Sequence, residues 1–172
     1  MVKKRYKKRL AKSIMSLLIL VLMAGFQLYQ GQNEIEKGQR FEVALSKTVD
    51  GDTAWFFIDG QDTKVRFLYI DTPECTNKVE PYGKEASDFV STKLTQAHKI
   101  ELEFNIDGDQ YDKYGRLLAW VFIDDQLLQE EIASQGYCQK FYDYGYHYTY
   151  KDKIIKANQQ AKENKRGIYS LL

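Results

Sequence analysis

Three short runs hold the residues best able to do chemistry: Asp50-Gly51-Asp52-Thr53, Asp71-Thr72-Pro73-Glu74 and Asp112-Lys113-Tyr114-Gly115-Arg116. A fourth residue, Arg66, sits inside the apolar stretch VRFLYI that leads into the second run. Each run alone reads as an ordinary turn. Together they supply a complete set for one reaction. Two carboxylates, Asp52 and Asp71, can hold a hard divalent cation with a backbone carbonyl and waters. The forks of Arg66 and Arg116 match phosphate oxygens two at a time and stay charged. Glu74 is then free to orient and deprotonate a water. Cation, phosphate clamp and base describe hydrolysis of a phosphodiester.

The elements that must position these groups follow from periodicity. Alternation predicts strands at about 41–49, 53–58 and 63–70, joined by a turn at Asp59-Gly60. Apolar residues at helical spacing predict a helix over 83–97. Strands return at 99–104 and 117–123, followed by a short helix over 127–135 that Gly136 ends and a polar helix over 151–165. Five strands with a helix between the third and fourth is the order of an OB-type β-barrel of α+β class, here with three helices. Asp52 opens the second strand, Asp71 and Glu74 close the third, and Arg116 opens the fifth. In a closed barrel those ends can meet on one rim.

The formal charge of +1 conceals two parts. Seven cations stand between Lys3 and Lys12, leaving 18 basic against 24 acidic residues, or −6, in the rest. A mildly acidic body excludes generic coating of nucleic acid and calls for a few placed cations and a metal. The basic start followed by the apolar run from Ile14 to Phe26 predicts a secretory signal or an uncleaved membrane anchor over residues 1–29. A polar linker follows at 30–39, and one domain fills 40–172. Either form of the leader places the domain on the extracellular side. In that setting Cys75 and Cys138 allow a disulfide or two independent thiols.

The ordered set VDGDT, VRFLYIDTPE, EPYGKEAS, DKYGR and GIYS resembles the staphylococcal nuclease (thermonuclease) family, from about Phe41 to Ser170. The resemblance implies an OB-type barrel that cleaves DNA and RNA, single strands favoured, at the 5′ P–O bond to leave 3′-phosphates. It implies Ca²⁺ held by Asp52, Asp71 and the carbonyl of Thr72. Arg66 and Arg116 would contact the scissile phosphate and Glu74 would activate the water. Lys113 and Tyr114 match positions near a terminal phosphate, and Tyr142 and Tyr144 match nucleotide-contacting tyrosines. The family's minor strand beyond Gly136 lies beside DTPE, which makes a Cys75–Cys138 disulfide an expectation. So few carboxylates imply weak calcium binding, of the order of 10⁻⁴–10⁻³ M, suited to an extracellular setting; a monomer is expected. The chain departs from the best-known member after Glu74, where the segment to Pro81 is shorter and only Lys78 remains of its lysines.

Two features stand apart. The run FYDYGYHYTY alternates tyrosines, so an extended chain would show all five on one face, either for base stacking or for packing. His98 and His147 have no metal-ligand spacing, which disfavours a histidine–metal nuclease. The competing function is a non-catalytic OB module that binds nucleic acid. Such a module has no need of Asp52, Asp71, Glu74, Arg66 and Arg116 together.

Overall fold

The computed structural model describes residues 12, 14–25, 35–76 and 78–171. The chain divides into two units, Met1–Ile35 and Glu36–Leu172. In the first, residues 14–25 form a helix, α1, whose apolar side chains are exposed. No helix among the described residues is long and apolar enough to cross a membrane. The rest of the expected leader, and the linker up to Glu34, lie outside the described residues.

The second unit contains β1 (Arg40–Glu42), β2 (Ala44–Thr48), β3 (Thr53–Ile58), β4 (Gln61–Phe67), β5 (Ile70–Asp71), α2 (Gly83–Gln96) and β6 (Ile100–Glu103). There follow β7 (Leu117–Ile123), β8 (Gln126–Leu127), α3 (Leu128–Ser134), β9 (Lys140–Phe141), α4 (Lys151–Glu163) and a 3₁₀ turn, Gly167–Leu171. Hydrogen bonding orders the main sheet β1-β6-β7-β4-β3-β2, with β8 beside β7, and pairs β5 with β9 separately. The class is α+β, but the pairing differs from a closed five-stranded barrel. Among the described residues this is a seven-stranded sheet and no ladder joins its two ends.

Two breaks account for the difference. The expected strand 41–49 splits at Val43: β1 pairs with β6, and β2 turns to β3 with a register shift between Leu45 and Lys47. A bulge of this kind bends a strand and sharpens its twist. The expected strand 63–70 splits beyond Phe67, where Tyr69 adopts φ 75° and sends β5 away from the sheet to meet β9. A bulky residue in the left-handed region is costly, so the surroundings must hold it. Tyr69 is buried, with its ring against Phe141 and Tyr148 at 5.2 and 4.9 Å between centroids.

The registers bring the chemistry together. In the β3–β4 hairpin Thr53 faces Arg66, and in the parallel β4–β7 pair Arg66 faces Leu118, two residues beyond Arg116. In the β5–β9 pair Asp71 faces Lys140, which leaves Tyr142 just past the ladder with its N–H on the Tyr69 carbonyl at 2.8 Å. Beneath lies a core that includes Phe56, Phe67, Trp120, Leu128 and Ile154. Each such side chain contributes about 1.5–3 kcal/mol by burial. Gln129, fully buried on α3, fixes that helix to β7: its amide donates to the Ala119 carbonyl at 3.0 Å and its oxygen accepts the Val121 N–H at 3.1 Å.

Candidate active site

Arg66 answers the question posed by a charge inside an apolar strand. Its side chain is buried and every bond it makes is local to the strand ends. Nη1 donates to the carbonyls of Phe67 and Ile70 at 2.9 and 2.7 Å. Nη2 lies 3.1 Å from Asp52 Oδ2 and 3.0 Å from Asp71 Oδ1. Asp52 is held in turn by Thr72, whose N–H and Oγ1 donate to Oδ2 at 2.9 and 3.1 Å, and by Thr53 Oγ1 on Oδ1 at 3.0 Å. Gly51 permits this approach, because a Cβ there would meet Thr72 Oγ1 at 2.6 Å. A buried ion pair is stable only when its remaining lone pairs and protons are also bonded, and here both oxygens of Asp52 and both terminal nitrogens of Arg66 have partners.

Sequence reasoning missed Asp50, whose Oδ1 accepts the Asp52 N–H at 3.0 Å. Burial, and then the charge of Asp52, push the Asp50 carboxyl up to about 6. Asp71 is also raised, first by burial and then by Asp52, against the opposing pull of Arg66. Three acids therefore crowd one guanidinium and hold a surplus of negative charge.

Glu74 is exposed at the rim, two residues after Thr72. Its Oε2 accepts Thr76 Oγ1 at 3.3 Å, and its backbone is tied to Glu80 in both directions. Gly83 closes the first turn of α2 onto this segment, since a Cβ at Gly83 would come within 2.2 Å of the Glu74 carbonyl oxygen. Arg116 is aimed by Asp112, which takes its Nε at 2.6 Å on Oδ2 and the N–H groups of Tyr114 and Arg116 at 2.9 Å on Oδ1. Burial raises the Asp112 carboxyl, but those three donors outweigh it and hold the group below its usual range. Lys113 Nζ and Arg116 Cζ lie 5.0 and 5.5 Å from the Tyr114 ring centre.

Asp50, Asp52, Asp71 and Glu74, with Arg66, Asp112, Lys113, Tyr114 and Arg116, line one cleft of about 660 Å³ together with Tyr142 and Tyr144, while Thr72 is buried behind it. Arg66 Cζ lies 5.6 Å from the Tyr142 ring centre, and the Tyr142 and Tyr144 rings are parallel within 2°, 6.2 Å apart. The five alternating tyrosines do not share one face. Tyr142 and Tyr144 are exposed, whereas Tyr148 is buried and Tyr150 packs edge-on against Trp120. The unforeseen organiser of that segment is buried Asn105. Its oxygen accepts Trp120 Nε1, Thr149 N–H and Thr149 Oγ1 at 3.0–3.1 Å, and its amide donates to the carbonyls of Asp107 and His147.

Cys75 and Cys138 are both free thiols, so the expected bridge is absent. Cys138 is turned inward, its Sγ on the Lys140 carbonyl at 3.3 Å, and burial pushes its thiol up to about 12. Among the described residues no three histidine, cysteine or carboxylate side chains gather into a ready-made ion site. The charge surplus around Asp52 is nevertheless of the kind a hard divalent cation relieves.

A strand-end cluster of paired acids and arginines on a mixed sheet is the arrangement that the family comparisons bear on. Residues 64–171 match the family model of staphylococcal nuclease homologues. The chain is 40% identical over 132 residues to the SPbeta prophage-derived endonuclease YokF of Bacillus subtilis (strain 168), covering 75% of this chain and 44% of that protein. It is 38% identical over 131 residues to endonuclease YncB of the same organism, covering 74% and 61%. With the thermonuclease of Staphylococcus intermedius the identity is 34% over 170 residues, 94% of this chain and 98% of that one. The chain thus spans less than two thirds of either Bacillus protein. It belongs to the staphylococcal nuclease family.

Proposed function

We propose that this chain is a nuclease that hydrolyses phosphodiester bonds of DNA and RNA outside the cell, with calcium as cofactor. The observation that carries the reading is Arg66 held between Asp52 and Asp71 at the base of a cleft that also carries Glu74 and Arg116. Kinship with proteins named endonuclease and thermonuclease supports the reaction class.

In this reading Asp52, Asp71 and the Thr72 carbonyl would hold Ca²⁺, which would supply positive charge to offset that of the phosphate oxygens. Glu74, exposed and open to water, takes a proton from the attacking water; a positioned base of this kind contributes about 10²–10⁴-fold. The oxygen attacks phosphorus and the P–O5′ bond breaks. The 5′-oxygen leaves with a proton from solvent, and the phosphate stays on the 3′ side. Arg116, aimed by Asp112, and Arg66 stabilise the negative charge that grows on the equatorial oxygens. Tyr142 and Tyr144 offer faces for an unpaired base, and Lys113 a charge for a neighbouring phosphate. Export rests on the seven cations that precede the apolar run.

Incubation of the full chain with single-stranded DNA and with RNA, with calcium and with a chelator, tests the reading. It predicts calcium-dependent release of 3′-phosphate ends from both polymers. Products that carry 5′-phosphates, or no cleavage in calcium, would defeat it.

A further inference from the structure

Seven carboxylates but only three cations line the cleft. Five of the seven have a stated place: four surround the proposed ion and water, and Asp112 is taken by Arg116. Two remain, Asp107 and Asp109, and neither contributes to the proposed reaction. Both are exposed, on the loop between β6 and β7. The loop is fastened next to Arg116, because Leu118 N–H donates to the Gln110 carbonyl at 2.9 Å and Tyr111 bridges to Leu117.

This loop is built to hold its charges in place. Asp107 accepts the N–H of Gly108 at 2.9 Å and of His147 at 3.0 Å. Those donors, His147 first, keep its carboxyl below the usual range and therefore ionised. Asp109 Oδ2 accepts the Tyr146 hydroxyl at 3.2 Å. Tyr146 packs on Gly108, where a Cβ would meet the ring at 2.6 Å and where φ is +89°, so the contact requires glycine.

The cations opposite are few and partly engaged. Arg66 is shared by two acids and Arg116 by one, while Lys113 forms no ion pair among the described residues. The cleft volume, about 660 Å³, falls in the range of a site for one small ligand.

We propose that Asp107 and Asp109 form an anionic wall that confines the grip to the scissile phosphate and one neighbour, so the protein takes short single strands and strand ends. The inference rests on the nuclease reading and names the substrate class of that site. Its signature is salt dependence. Single-strand affinity falls with log salt at about 0.7 per phosphate neutralised, so three cations set a ceiling of about 2 on the slope.

The test is binding of a fluorescent 16-nucleotide single strand between 50 and 200 mM salt in calcium, on a Glu74→Gln background that blocks turnover. A nitrophenyl ester of thymidine 5′-phosphate, with a single phosphate, is the control ligand. The expected slope is about 1–2 for the parent. Asp109→Lys should steepen it by about 0.7 and tighten the oligonucleotide about fivefold at 50 mM salt, leaving the control unchanged. Asp109→Asn, which keeps an acceptor for Tyr146, should tighten the oligonucleotide about twofold. It carries the test should the lysine variant unfold. A parent slope above about 3, no change of affinity in either variant, or equal tightening of both ligands would overturn the wall. Hydrolysis by the Glu74-containing chain is read separately. Binding with the expected slope but no cleavage would overturn the nuclease reading alone, and cleavage with a steep slope the wall alone.

Discussion

Arg66 and Asp52 meet with Nη2 and Oδ2 3.1 Å apart, both side chains more than nine-tenths buried. Removal of one member of such a pair leaves the other as an uncompensated buried charge, which costs about 3–5 kcal/mol. Arg66→Gln should therefore lose about that much stability without calcium, and calcium should restore part of it by replacing the missing positive charge. Urea unfolding with and without calcium checks this. A loss below about 1 kcal/mol in calcium-free buffer would show that the guanidinium is not what neutralises Asp52 and Asp71.

Asp112 holds Arg116 through three bonds, and its pH dependence has a definite sign. A carboxyl whose folded pKa lies below its unfolded value stabilises fully above the unfolded value, near 3.9. That stability is lost as pH falls through the lower, folded value. Asp112→Asn should cost about 1 kcal/mol at pH 7, discounted because the pair is partly open to water. The difference from the parent should shrink as pH falls below the unfolded value and through the lower, folded one. Thermal unfolding from pH 2 to 7 reads it. A difference that grows on acidification would contradict the assignment.

The two cysteines should differ in reactivity. Cys138 is buried with a thiol pushed up to about 12, whereas Cys75 is half-buried beside Glu74. Thiolate is the reactive form. A thiol reagent at pH 8 should modify one cysteine, Cys75, in the native protein and both in urea. No modification until a reductant is added would mean that they form a disulfide.

Gly83 should tolerate no side chain. The 2.2 Å approach of a Cβ to the Glu74 carbonyl oxygen would push α2 off the segment that carries the base. Gly83→Ala should lower kcat by at least about tenfold, since a small misplacement of a catalytic group is costly. Affinity for a single strand should change less than threefold. Equal kcat in variant and parent would show that α2 does not position Glu74.

Much of the site was legible because its residues are costly anywhere else. An arginine in an apolar strand and acids at strand ends need partners, and Asp52, Asp71 and Arg66 are found bonded to one another. What escaped was whatever depends on distant segments. Asp50 is the corner of a local turn, its Oδ1 on the Asp52 N–H, but its burial beside Asp52 comes from segments the turn does not show. Asn105 and Gln129 look like ordinary polar residues, yet their bonds run to Thr149 and Ala119, partners that no local period marks. The splits at Val43 and beyond Phe67 arose the same way, from the competition of two strands for one segment and from the aromatic pocket that holds Tyr69. The Cys75–Cys138 bridge was expected from an address and a kinship, neither of which states where a thiol points.

The central claim is that Glu74 serves as base for a phosphate gripped by Arg66 and Arg116. The most direct measurement compares Glu74→Gln with the parent in calcium, with single-turnover rate and single-strand affinity taken on the same preparations. The rate should fall about 10²–10⁴-fold while the affinity stays within about threefold. A variant that cleaves at the parental rate, or one that loses rate only because it no longer binds, would contradict the claim.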